Sequence, residues 1–249
     1  MFLKAIILCS FVLLTHCANM SEEEITQSVN EKKITCGSTL RIQNDLTKYY
    51  LSSFGMNWST GSRLQIVTGV KESDKYESLF IIKEGEGLPP CENGEPIKCG
   101  SIIRLEHVTT GKNIHSHEFP SFITNTQEAC AFGENGNGDV NDNFEITCYK
   151  WKEEEIKGET LFFLQHVPTK KFLFIDYKKS LFNDRNCRGC PIIGQREVSL
   201  TDKKDKQCLW KVTGGIIFSL SEDEETETRT ENESDEGEEY EEEEKKNDL

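Results

Sequence analysis

No apolar run in this chain of 249 residues approaches the roughly 18–20 residues that cross a bilayer as a helix, so no membrane span is expected and the mature protein should be soluble. Positive charge is scarce as well: 44 acidic side chains face 29 basic ones, a formal charge of −15. The last 29 residues, from Ser221, hold 16 of those acids and three of the bases, which leaves 28 acids and 26 bases on the rest. A body so near neutrality lacks the basic footprint of a nucleic-acid binder. Catalytic signatures are missing too. There is no G-x-S-x-G, no H-E-x-x-H, no Walker loop and no G-x-G-x-x-G after a strand, which moves weight from turnover to binding, with no cofactor and no enzyme activity expected. Helical periodicity is hard to find between Ile34 and Gly214.

The two ends carry addresses instead. Lys4 precedes the apolar stretch Ala5 to Leu14, and small residues follow near Cys17 and Ala18, the pattern of a cleaved secretory signal over 1–18. Residues 19–33 read as a linker. The final four residues, Lys246, Asn247, Asp248 and Leu249, are similar to the K-D-E-L type of retrieval signal, with two conservative differences. A retrieval signal is useful only to a protein that has entered the lumen, so the pair of signals points to the endoplasmic reticulum. Asn57 (N-W-S) and Asn232 (N-E-S) are glycan acceptors in that compartment. The acidic run Glu222 to Glu244 lacks apolar residues apart from Tyr240 and is expected to be disordered, over a tail spanning 215–249. Solubility is its plain role; weak, high-capacity calcium binding and contact with a basic partner are the sharper ones.

The body repeats. Cys36-Gly37-Ser38-Thr39-Leu40-Arg41-Ile42 matches Cys99-Gly100-Ser101-Ile102-Ile103-Arg104-Leu105, and Gly158 to Leu164 continues the pattern from Gly100. Each start leads through a polar turn to a second strand-like run: Thr47–Ser52, Gly111–Ser116 and Lys170–Ile175. A glutamine follows in each, Gln65, Gln127 and Gln195, and each unit closes on an aromatic run near Phe80, Phe144 and Trp210. Units of about 60 residues (roughly 34–90, 91–152 and 153–214) with four short strands cannot close a core alone, so three should pack about a shared axis. The fold class expected is all-β, a barrel with pseudo-threefold symmetry.

The quoted starts, with I-R-L-E-H-V-T-T-G-K-N-I-H-S-H from Ile103, Q-E-A-C-A-F-G-E from Gln127 and I-I-G-Q-R-E-V from Ile192, resemble the stromal cell-derived factor 2 family. The resemblance runs from Ile34 to about Gly214 and implies three MIR motifs in a β-trefoil over 34–214. It also implies a non-catalytic luminal protein working with a J-domain co-chaperone and the luminal Hsp70 on unfolded or O-mannosylated clients. The chain departs from the family pattern at Tyr50-Leu51-Ser52-Ser53, where a second L-H-S-H is usual, in Cys130, Cys187, Cys190 and Cys208, and in its tail. A lectin-like module reading mannosyl groups is the alternative function.

Eight cysteines remain after the signal, and an even number in an oxidising lumen suggests disulfides. If first and last strands of a unit are neighbours, Cys36–Cys91 and Cys99–Cys148 are equivalent bridges; a local Cys91–Cys99 clip is the rival. Cys187-Arg188-Gly189-Cys190 is a C-x-x-C in a long loop from Tyr177 to Ile193, read as a structural staple ahead of a redox or metal site. His115 and His117 share one face of a strand. No cysteine, aspartate or glutamate stands at a persuasive spacing for zinc, so they read as a hydrogen-bonded family element, with no metal expected. Glu134 to Asp142 invites a calcium reading, but a Gly/Asn-rich hairpin explains it at lower cost.

Overall fold

The computed structural model describes residues 32–72 and 76–219. The signal segment, the acidic run Glu222 to Glu244, the terminal Lys246 to Leu249 and Asn232 lie outside the described residues, as does nearly all of the 19–33 linker. In chain order the strands are β1 Thr39–Asn44, β2 Tyr50–Asn57, β3 Gln65–Val70, β4 Phe80–Glu84, β5 Ile102–His107, β6 Lys112–Pro120, β7 Gln127–Phe132, β8 Phe144–Cys148, β9 Phe162–His166, β10 Phe172–Phe174, β11 Arg196–Glu197, β12 Ser199–Thr201 and β13 Trp210–Ile216. Three single 3-10 turns, at Tyr76–Ser78, Val140–Asp142 and Lys206–Cys208, supply the helical content of the described residues.

Antiparallel pairing closes six strands on themselves: β1 with β4, β4 with β5, β5 with β8, β8 with β9, β9 with β13, and β13 back to β1. Closure leaves this layer without an exposed edge. Over the barrel lie the hairpins β2–β3, β6–β7 and β10–β12, joined to one another through β3–β7 and β7–β12. The arrangement is all-β and β-trefoil-like.

Alternation builds it. Leu40, Ile42 and Asn44 of β1, Ile103, Leu105 and His107 of β5, and Phe162, Leu164 and His166 of β9 are all buried at every second residue. The interior is filled, with a residual void of only about 10 Å³. At one end Ile34, Ile97 and Ile156 bond in a closed ring: Ile34 N–H to the Ile156 carbonyl at 2.8 Å, Ile97 N–H to Ile34 at 2.9 Å, and Ile156 N–H to Ile97 at 2.9 Å. Two residues beyond the ring, Cys36 is bonded to Cys91 and Cys99 to Cys148; the Cys91–Cys99 clip does not form. Cys130 and Cys208 are buried free thiols.

At the other end the third inward position of each first strand is polar, and each is tied to a threonine three residues on. The Thr47 hydroxyl donates to Asn44 Oδ1 at 2.9 Å, and the Thr110 and Thr169 hydroxyls lie 2.9 and 2.8 Å from Nδ1 of His107 and His166. Gln65 then donates to Ser53 and Thr110, both at 2.8 Å, and Gln127 to Ser116 at 2.8 Å and Thr169 at 3.0 Å, which stitches hairpins to the barrel of the next unit.

Three sequence expectations shift. The second strands begin later than expected because Lys48, Gly111 and Lys170, at φ of 61°, 61° and 58°, still belong to the turn. Pairing registers also put Gly158 level with Cys36 and Cys99, and Arg196, not Gln195, level with Gln65 and Gln127. The long connection after β10 precedes Arg196, whereas the Gly158 shift falls before β9, and no bulky landmark marks either in the sequence. Finally, β13 runs to Ile216, past Gly214, and Phe218 is tied back through the Thr35 hydroxyl at 2.6 Å and to Ser38 at 3.1 Å.

Replacing both Cys36 and Cys91 by serine removes a cross-link spanning 55 residues. The expected cost is about 2–5 kcal/mol, read as a lower denaturant midpoint; an unmoved midpoint would show that the barrel does not need the bridge. Acid should also weaken the fold. Burial lowers the pKa of His107, and that of His166 to about 4. The unfolded chain protonates both imidazoles below about pH 6.5, whereas folded His166 stays neutral to about 4, so stability is full above 6.5 and falls as pH drops toward 4. Thermal midpoints between pH 7.5 and 4.5 should fall in the parent, and less so in His166→Gln.

Candidate functional site

The hairpin tips converge on one face. Trp58 follows β2, Phe122 lies between β6 and β7, and Phe182 sits in the connection after β10. Their rings form a triangle with centroids 6.4 Å (Trp58–Phe122), 6.1 Å (Trp58–Phe182) and 6.1 Å (Phe122–Phe182) apart. Trp58 and Phe182 are buried, while Phe122 is 43% exposed, and Met56, Phe119 and Ile193 on the same tips are exposed too.

Two tips are held by buried carboxylates from another part of the chain, and the loop after β10 by the half-buried Arg196. The Glu197 carboxylate, 1% exposed, accepts from the backbone N–H of Ile123 (2.6 Å) and Thr124 (2.9 Å) and from the hydroxyls of Thr124 (2.6 Å) and Ser121 (3.2 Å). Glu128 accepts from the Ser62 hydroxyl, and Trp58 Nε1–H donates to the Ala129 carbonyl at 3.3 Å. Burial raises the Glu128 carboxyl above its usual range, opposed in part by the Ser62 hydrogen bond. Arg196 donates to the carbonyls of Asp176 (3.2 Å) and Tyr177 (3.1 Å) and to the Ser180 hydroxyl (3.1 Å), and lies over the Tyr49 ring at 5.0 Å. Cys187 and Cys190 are bonded to each other and pack, half-buried, against the Trp58–Phe182 cluster. A cleft of about 300 Å³ lies beside this loop, walled by Phe54, Lys71, Glu77, Pro191 and Gln195.

A second hollow, of about 570 Å³, lies over β6 and β7, lined by Leu64, Lys112, Phe132, Glu134, Asn135 and Asn137. Its rim is the tight Glu134–Asn137 turn, with Asn135 and Gly136 at φ of 51° and 74°, so the Gly/Asn segment is a hairpin. Asp139 and Asp142 beyond it are engaged internally: Asp139 accepts from the Asn141 N–H at 2.8 Å, and Asp142 from the Asp139 N–H at 2.9 Å.

His115 and His117 are on one face of β6, as the sequence implies. His115 Nδ1 lies 2.8 Å from Asp142 Oδ1, and its Nε2 lies 2.8 Å from His117 Nδ1. His115 is buried; His117 is half-buried, and burial, followed by the neighbouring His115, lowers its pKa. Asn57 is exposed at the end of β2, where a glycan would border the aromatic face. Sequence reasoning missed Glu197, Glu128 and Arg196 as loop anchors, and Asp142 as the partner of His115. A buried charge on an otherwise apolar strand is the one signal that marks the first two.

The sequence model of the MIR domain matches residues 56–212. Stromal cell-derived factor 2-like protein 1 of Mus musculus is 38% identical over 193 residues, which covers 76% of this chain and 80% of that protein. Stromal cell-derived factor 2 of Homo sapiens is 37% identical over 191 residues, covering 76% and 84%. Among solved structures, the SDF2-like protein from Arabidopsis thaliana superposes with a TM-score of 0.69 at 28% identity, over 77% of this chain and all of that one.

Glu197→Gln keeps the shape but removes the charge that four donors share. It should cost about 1–3 kcal/mol and speed amide exchange at Ile123 and Thr124 while leaving Ile34, Ile97 and Ile156 protected. Unchanged exchange at the two loop amides would show that Glu197 does not anchor the tip.

Proposed function

The chain belongs to the stromal cell-derived factor 2 family of MIR-domain proteins, and from that premise we propose that it is a non-catalytic accessory of protein folding and quality control in the lumen of the endoplasmic reticulum. In this reading residues 1–18 are a cleaved signal, three MIR repeats at about 34–90, 91–152 and 153–214 form a pseudo-threefold trefoil, and the disordered acidic tail ends in a retrieval signal. The protein binds a J-domain co-chaperone with the luminal Hsp70, or their unfolded or O-mannosylated clients. The observation that carries this reading is the family relationship, 38% identity to a stromal cell-derived factor 2-like protein across 193 residues.

The hairpin face supports it. Met56, Phe119 and Phe122 present apolar side chains at hairpin tips that buried carboxylates hold in place, and Ile193 is exposed beside them. A pre-ordered apolar surface can take up extended apolar segments without first freezing its own loops, which lowers the entropic cost of binding. The buried His166 imidazole, by contrast, is consumed by structural hydrogen bonds: Thr169 and the Asn141 carbonyl (2.9 Å) occupy both of its nitrogens. One observation favours the lectin-like alternative, the shallow hollow in which Lys112, Glu134, Asn135 and Asn137 surround Phe132. Polar groups around an aromatic ring suit a sugar.

A pull-down of the tagged mature protein from lumen extract, with and without excess mannose, separates the two. A J-protein and Hsp70 retained in mannose, and reduced several-fold by Phe122→Asp, are the expected outcome. Glycoproteins that mannose displaces, with no chaperones retained, would replace the accessory role by the lectin.

A further inference from the structure

The β6–β7 pair does something the linear sequence hides. Cys130 stands directly opposite His115 in the register of the two strands, and His117 is two residues along from His115. All three side chains therefore leave the sheet on the same side. One donor atom from each of His115, His117 and Cys130 lies within 4.8 Å of the other two. Two imidazoles and a thiol brought together on adjacent hydrogen-bonded strands are a ligand set of zinc type, and strands hold such a set more firmly than a loop would.

The surroundings orient His115 for a metal. Asp142 is wholly buried and receives the Asp139 N–H at 2.9 Å and Asn113 Nδ2 at 3.2 Å on Oδ2, which leaves Oδ1 to take the Nδ1 proton of His115 at 2.8 Å. That bond fixes the tautomer, so the lone pair of His115 is on Nε2, aimed into the cluster. A carboxylate behind the imidazole is the usual second support of a metal-bound histidine. The Cys130 thiol lies 3.6 Å from the His115 carbonyl. His117 is half-buried, so the cluster has a route to solvent, and the Asp139 side chain is 46% exposed on that side, 3.8 Å from His115.

We propose that His115, His117 and Cys130 bind a zinc ion, with Asp142 positioning His115 and a water in the fourth place. Zinc bonds of about 2.0–2.3 Å set tetrahedral ligand atoms about 3.3–3.7 Å apart. The two imidazoles thus open from their present 2.8 Å contact, while the sulfur swings toward them by side-chain rotation. The protons balance simply. His117 moves its Nδ1 proton to Nε2, His115 keeps its tautomer, and the Cys130 thiol passes its proton to solvent, one proton per ion bound.

The test uses the full-length protein, stripped with chelator and titrated with cobalt(II) as a spectroscopic stand-in for zinc. One equivalent should bind with thiolate-to-cobalt charge-transfer absorption, which carboxylates of the tail cannot produce, and zinc should bleach it. Cys130→Ser should lose that band and Cys208→Ser should keep it. His117→Ala alters a half-buried side chain and should lose the ion while retaining the parent's circular dichroism. A missing band at one equivalent of cobalt, or a band that survives in Cys130→Ser, would overturn the site.

Discussion

The ring of three backbone hydrogen bonds among Ile34, Ile97 and Ile156 is the constraint on which the barrel rests. Each member comes from a segment about sixty residues from the next, and each bond needs both neighbours in place before it forms. Loop-closure entropy is therefore spent before any of the three contacts returns it, which makes closure cooperative. The flanking bonds extend the same geometry: Cys36 N–H meets the Glu95 carbonyl and Cys99 N–H meets Glu154, both at 2.8 Å. Disulfides reinforce two of the three positions. The third has Gly158 instead, and there the closure is made by the segments flanking the barrel, with Gly158 N–H on the Lys32 carbonyl at 3.3 Å and Phe218 tied to Thr35 and Ser38.

A second polar layer does the equivalent work at the opposite end. Burying Asn44, His107 and His166 is tolerable because each meets a threonine hydroxyl three residues later. The glutamines Gln65 and Gln127 then join that layer to the hairpins. Phe80 and Phe144 close over His107 and His166 with centroids 5.3 and 5.2 Å apart, and Trp210 pairs with Asn44 in the corresponding register. In the third unit the glutamine has become Arg196, which reaches outward to hold the long loop after β10.

Much of this was legible in the chain. Alternation such as L-R-I-Q-N and I-R-L-E-H marks barrel strands because one face must be buried, and the cysteines that open and close units one and two meet because first and last strands of a unit are neighbours. What escaped depends on register across long separations. Cys130 is 15 residues from His115, and Asp142 is 27 away; only the β6–β7 pairing and the 3-10 turn at Val140–Asp142 bring them together. Glu197 is 73 residues from the Thr124 amide it anchors, and no local pattern links them. Gly158 and Arg196 each stand one residue from the place that sequence matching gives them: Gly158 lies before β9, where no cysteine marks the start, and Arg196 follows the long loop after β10.

The distribution of change across the three units is itself informative. The barrel positions differ only among apolar residues or, at their polar end, among Asn and His, because closure permits little else in a filled interior. The hairpin positions diverge in kind: Ser52, His115 and Phe174 occupy the same register place, as do Phe54, His117 and Asp176. Substitutions there cost the barrel nothing, so that layer is free to specialise. Its loops are nonetheless not loose, because Glu128 holds the tip before β3 and Glu197 the tip before β7. Those two tips are thereby fixed by strands outside their own hairpins, while the loop after β10 is held by Arg196 within the same connection.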